Sequence, residues 1–321
     1  MEIIRTQNIL TLVFSAKIDY TISASFNKIF GSIKKDFEIL ELDFYKTKFI
    51  TLPASMYLLF IVYALTKSSE KTVIESRITN CLESVLTAIA NFGLIKMLKA
   101  YGNLRVDNYT NELSEERFQF WKTTLKSNYL FKTLYWPISA IPSDPRKNEN
   151  FVTAANSLIN SFIDCFNNLL VNSMVKNVSG EDNEFFRKSF ISAVNESIKN
   201  IWDHSESWGT VGLHSNKYQK NTFCLFDYGI GFINSYIKRI GSFERNSIND
   251  KAKLEWLFKE GHTSNDMNNH GRGLKKIADF VDMNDGIWYI KTDKYLMKYQ
   301  KQKLTIDEDS FFPGTQLMIN F

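Results

Sequence analysis

The sequence predicts an α/β chain of two domains, on three observations. Short apolar runs of strand character, at 37–44 and 222–226, alternate with longer runs of helical periodicity, at 190–201 and 274–281. A polar segment with two prolines, 141–150, reads as a linker between the halves. The chain has 321 residues, and its 26 phenylalanines supply enough apolar mass for two cores of ordinary size.

In the N-terminal half, Phe37-Glu38-Ile39-Leu40-Glu41-Leu42-Asp43-Phe44 alternates as a half-buried strand does. Lys48-Phe49-Ile50 continues after a turn, and 52–65 reads as a helix. Its apolar part, 54–65, is too short for a bilayer core of about 30 Å and is expected inside a protein core. Helical patterns are expected over 73–101 and 114–126, a strand over 129–136, and a further helix from about Phe151. The strand, turn and helix over about 20–67 resemble the STAS domain, the fold of anti-sigma-factor antagonists. The resemblance implies an interaction module; an unrelated α/β module is the alternative. Antagonists carry a phosphorylatable serine after the strand, and Thr51-Leu52-Pro53-Ala54-Ser55 lacks it at the matching place. Ser55 or Thr51 would have to substitute.

The C-terminal half carries the chemistry. On the helix that ends in Asn195-Glu196-Ser197-Ile198-Lys199-Asn200-Ile201-Trp202-Asp203-His204, Phe190, Ile191, Val194, Ile198 and Ile201 fall on one face. Glu196, Asn200, Asp203 and His204 fall on the other, where a core-packed helix would turn them toward a cleft. A glutamate can take a proton from a nucleophile, and an asparagine offers a neutral oxygen to Mg²⁺. The apolar strand at 222–226 then delivers Asp227-Tyr228-Gly229-Ile230-Gly231-Phe232. An aspartate at a strand end can accept a hydrogen bond from an exocyclic amine, and glycines let the backbone approach a flat ring. His270-Gly271-Arg272-Gly273-Leu274 opens a helix over 274–281, and a glycine-rich turn into a helix N-terminus suits a phosphate. Pro313-Gly314-Thr315-Gln316-Leu317-Met318-Ile319 reads as a turn followed by a strand.

These four pieces, in this order, resemble the GHKL ATPases, the superfamily of DNA gyrase, heat-shock chaperones, histidine kinases and anti-sigma serine kinases. Glu196 and Asn200 match the N box, Asp227, Gly229 and Gly231 the first glycine box, Gly271 and Gly273 the second, and Gly314-Thr315 the terminal box. Glu260-Gly261-His262-Thr263-Ser264 resembles the turn that precedes the lid in many such domains. The resemblance covers about 150–321. It implies an α/β sandwich, a mixed sheet with helices on one face, that binds ATP beneath a mobile lid over 232–270. The domains are then an interaction domain over 1–145 and an ATP-binding domain over 146–321. Asp227, with Thr315 beside it, would bind adenine, and Asn200 would ligate Mg²⁺. Gly271, Gly273 and Leu274 would hold phosphates, with charge from Arg272 or Lys275. Glu196 would be the general base, and positioning of this kind is most of what phosphoryl transfer needs.

Within the superfamily, Glu196 favours the hydrolysing or serine-phosphorylating branches. None of the four histidines, His204, His214, His262 and His270, lies upstream as a phosphoacceptor, which argues against a sensor histidine kinase. His204 resembles the histidine that ends the N box of anti-sigma serine kinases, or is a plain helix-end residue. Three functions stay open: an ATPase acting as a regulatory switch on a protein partner, a serine/threonine kinase of the anti-sigma type, and a non-hydrolysing nucleotide-gated module. A homodimer is in keeping with the superfamily.

The formal charge of +4 is too slight to argue for nucleic acid. The lysines of 291–303, interleaved with Tyr295 and Tyr299, are expected on a solvated hairpin; contact with a phosphate backbone is the alternative. Cys81, Cys165 and Cys224 lack metal-ligand spacing and are expected as buried thiols. The opening Met1-Glu2-Ile3-Ile4-Arg5 does not read as a secretory signal, so a cytoplasmic protein with no membrane partner is expected.

Overall fold

Leu10, Leu12, Leu40 and Leu42 alternate with less covered neighbours, and they form the middle of the first sheet. The computed structural model describes residues 1–19, 36–68, 74–124, 133–141, 180–201, 207–216, 221–240, 249–258 and 273–321, with Ile22, Phe26 and Ile33. The chain divides into two compact units, Met1–Ser127 with Tyr135–Ser139, and Asn128–Leu134 with Ala140–Phe321. Both are mixed α/β structures. Among the described residues no helix is long and apolar enough to cross a membrane.

The first unit contains strands β1 (Glu2–Arg5), β2 (Ile9–Val13), β3 (Lys17–Ile18), β4 (Ile39–Asp43), β5 (Phe49–Ile50), β6 (Glu75–Thr79) and β7 (Leu104–Arg105). Its helices are α1 (Leu52–Ser68), α2 (Glu83–Asn91), α3 (Leu94–Tyr101) and α4 (Asn108–Thr124). The main sheet runs β1-β2-β4-β6-β7; β1 pairs antiparallel with β2 and every later pairing is parallel. Strands β3 and β5 form a separate parallel ribbon. Helix α1 is apolar nearly all round, and Ala54, Met56, Leu58, Ile61 and Val62 are buried, as a core helix requires.

Three expectations change here. The helical pattern over 73–101 is interrupted by β6, a central strand whose buried Ser76 hydroxyl donates to Gly102 O at 2.6 Å. So short a run has no readable period, and its sheet partners decide its state. Helix α4 begins ahead of the expected 114 because Asp107 Oδ1 accepts from the Thr110 amide at 2.7 Å. Ser55 is fully buried and donates to Thr51 O at 3.1 Å, so its hydroxyl is not open to modification, while Thr51 caps α1.

The second unit contains the two ends of β8 (Thr133–Ile141), α5 (Gly180–Asn200), β9 (Gly209–Asn216), β10 (Thr222–Asp227), α6 (Gly231–Ile240), α7 (Asp250–Phe258), α8 (Gly273–Met283), β11 (Ile287–Gln300) and β12 (Lys303–Asn320). The sheet order is β11-β12-β10-β9-β8, and the three pairings that link β9, β10, β12 and β11 are antiparallel. Their register places Leu225, Val211, Leu317 and Ile290 on one face, all buried. Helices α5 and α8 cover that face. Phe190 of α5 touches Phe223 of β10 at 5.7 Å, Phe280 of α8 at 5.2 Å and Phe321 at 5.4 Å between ring centres.

Strand β11 does not run straight. Trp288 and Tyr299 would lie about 36 Å apart along an ideal strand, yet their rings stack at 5.5 Å. The strand folds back where its register with β12 shifts, around Asp293, whose φ is +52°. The distal end of the hairpin then docks on α8, with the Tyr299 hydroxyl donating to Asp282 Oδ2 at 2.6 Å. The solvated hairpin expected over 291–303 is therefore only half right. Lys294, Lys298, Lys301 and Lys303 are exposed, but Tyr295 and Tyr299 are buried, and buried Lys291 pairs with Asp309 at 3.0 Å. Nor does Pro313-Gly314 turn the chain: the pair lies in the same bulged region of continuous β12. Cys224 is buried as expected, whereas Cys81 is partly exposed; Cys165 lies outside the described residues, as do 142–150 and the helix expected from Phe151.

Phe190 joins the sheet, α8 and the C-terminal Phe321, so Phe190→Ala should destabilise the second unit by about 3–5 kcal/mol. An unshifted urea midpoint in that variant would contradict this packing.

Candidate functional site

The residues singled out by sequence meet at one end of the covered sheet face. A cavity with about 450 Å³ of empty space, part of it open to solvent, is lined by Asn200 of α5, Asp227 of β10, Gly231 of α6, Leu274 of α8 and Thr315 of β12. Its apolar walls come from Leu225, Leu317 and Ile290 of the sheet and from Ile277 of α8. The helix periodicity explains Asn200: with Phe190, Val194, Ile198 and Ile201 buried, the next position on the turn faces the cavity edge.

Asp227 ends β10 and is buried. Its Oδ1 accepts from the Gly229 amide at 2.9 Å, and the Thr315 hydroxyl and amide also donate to the carboxylate. Burial outweighs these donors and pushes the carboxyl up to about 6. The neighbouring strand comes very close: a Cβ at Gly314 would stand 2.1 Å from the Asp227 carbonyl oxygen, so only glycine fits there. Gly229 thus serves the carboxylate through its amide.

Gly231 has φ +73° and starts α6. The Phe232 amide donates to Thr292 Oγ1 at 2.9 Å and the Ile233 amide to Asp293 Oδ2 at 3.1 Å, so the fold of β11 caps α6 from sixty residues away. The segment expected as a lid begins in this helix. Residues 232–240 are a helix tied to the sheet, and Phe258 of α7 packs on Trp288 at 5.9 Å. The rest of 232–270, with His262, His270 and the turn at 260–264, lies outside the described residues; so do Gly271, Arg272 and His204. Gly273 opens α8.

Glu196 is not on an open face. Only 8% exposed, it is covered from α8, where Lys276 Nζ pairs with Glu196 Oε2 at 3.1 Å. Lys275, the expected phosphate-side lysine, pairs with Asp279 on its own helix at 2.9 Å. Sequence reading missed Lys276, Thr292 and Asp293. Adjacent lysines between Leu274 and Ile277 look alike in a pattern, and only the position of α5 separates them. Among the described residues no group of three or more His, Cys, Asp or Glu is placed to hold a metal ion. Comparison with protein-family models, curated proteins and solved structures found no match.

The raised Asp227 pKa has a consequence for stability. Between its ordinary value of 3.8 and about 6, the folded chain binds this proton more tightly than the unfolded chain. The stability it contributes is therefore complete below about pH 4 and lost as pH rises through about 6. Asp227→Asn cannot ionise, so at about pH 8 it should be more stable than the parent, by about 1–3 kcal/mol. A lower melting temperature than the parent at that pH would show that the donors outweigh the burial cost.

Proposed function

We propose that the second unit is a GHKL-type domain that binds Mg-ATP and hydrolyses it, acting as a nucleotide-driven switch on a protein partner in the cytoplasm. One observation carries the reading: a buried carboxylate, Asp227, and an amide, Asn200, face one apolar-walled cavity from opposite layers, beside Leu274 in the first turn of α8. A flat, amine-bearing ring suits such a slot, since its faces need apolar walls and its amine needs an acceptor. Asp227 would accept from the adenine amino group, with Thr315 completing the contact. The phosphates would lie toward the N-terminus of α8, where free amides face an anion.

The donor set fits a magnesium ion brought in with the nucleotide, because such ions take one or two protein oxygens and draw the rest from phosphates and water. Asn200 would supply its side-chain oxygen, and the ion when bound would neutralise phosphate charge. Glu196, one turn before Asn200, would orient a water for attack and accept its proton. The first unit, one antiparallel strand leading into parallel βα repeats, suits a STAS-like partner-binding module.

The test is purified protein with Mg²⁺ and γ-labelled ATP, following free phosphate and label retained on protein. Free phosphate is expected, and Glu196→Ala should retain nucleotide binding while turnover falls about 10²-fold or more. Parental turnover in that variant would remove Glu196 from the mechanism. Label transferred to protein would instead mark the anti-sigma type of kinase.

A further inference from the structure

We propose that Lys276 distinguishes a nucleoside triphosphate from a diphosphate by exchanging its ion pair with Glu196 for one with the terminal phosphate. The proposal rests on the reading of the cavity as a nucleotide site. Lys276 and Glu196 join α8 to α5 at 3.1 Å between Nζ and Oε2. Both helices line the cavity close to the pair: Ile277 follows the lysine and Leu274 lies two residues before it, and Ser197 and Asn200 follow the glutamate. The pair therefore joins the two helices next to the residues by which each lines the cavity.

The two partners are not equally held. The Glu196 side chain is 9% exposed, whereas that of Lys276 is 43% exposed. The carboxylate is packed in place, and the ammonium sits on a long flexible stem that can turn to a new anion. A terminal phosphate carries more negative charge than one carboxylate and attracts the ammonium more strongly at equal distance. Lys275 cannot stand in, since it is engaged with Asp279.

Exchange has a mechanistic consequence. With Lys276 on Oε2, that oxygen is occupied by a donor; with Lys276 on the phosphate, it is free to accept a proton from water. The base is thus released only when a triphosphate is in place, and a diphosphate leaves the pair closed. No covalent bond forms or breaks in the exchange.

The experiment is calorimetric titration, with Mg²⁺, of a non-hydrolysable ATP analogue and of ADP. Lys276→Met should weaken the analogue about tenfold and leave ADP within about twofold, and Lys276→Arg should restore most of the loss. Glu196→Gln should tighten the analogue by about threefold, because the lysine loses its competitor. Equal loss for both ligands, no loss in Lys276→Met, or no tightening in Glu196→Gln would overturn the exchange. A parent protein that binds neither ligand would overturn the nucleotide reading itself, and the exchange with it.

Discussion

The close approach of β12 to the end of β10 is the constraint on which the second unit depends. At that point Asp227 is buried, Gly314 lies against its carbonyl with no room for a Cβ, and Thr315 donates to its carboxylate. The register of β12 against β11 shifts at the same level, between Thr292 opposite Thr315 and Asp293 opposite Phe312. Two successive register shifts around Asp293 therefore accompany the seating of the glycine on Asp227, the aim of Thr292 and Asp293 at the first turn of α6, and the fold-back by which Tyr299 reaches Asp282. A carboxylate buried against its own preference is the cost of this arrangement, and it leaves a strong acceptor in an otherwise apolar wall.

The helix layer is set by apolar contact rather than by the polar residues it presents. Phe190, Phe223, Phe280 and Phe321 lock α5 and α8 to the sheet. With the axes fixed, helical geometry leaves Asn200 facing the cavity and Glu196 one turn away, in reach of Lys276. The partly exposed ion pair adds little to stability by itself. Its interest lies in where it stands, at the junction of the two helices that border the cavity.

What was legible in the sequence is what local pattern determines. The strand ending at Asp227, the faces of α5, the start of α8 and the buried helix α1 all follow from period, length and flanking residues. Asn200, Asp227, Gly231, Leu274 and Thr315 were grouped by the resemblance and not by local pattern, and these five line one cavity. What was hidden depends on distant partners. Pro313-Gly314 has the composition of a turn, and only pairing with β11 makes it a bulge. Tyr295 and Tyr299 alternate with lysines as a wet hairpin would, and the fold-back buries them. Glu196 reads as turned toward a cleft on a helical wheel, and the wheel carries no information about the Lys276 of α8 that covers it. For the same reason the pattern could not choose Lys276 over Lys275.

The measurement that bears most directly on the proposed reading compares ATP with inosine triphosphate, which has a carbonyl where adenine has its amino group. The phosphates and Mg²⁺ are then the same, and only the contact assigned to Asp227 differs. With Asp227 as acceptor, ATP should bind at least about tenfold more tightly than the inosine nucleotide, because the buried carboxylate would face an unpaired acceptor. Equal affinities would mean that Asp227 does not read the base, and the cavity would need a different occupant.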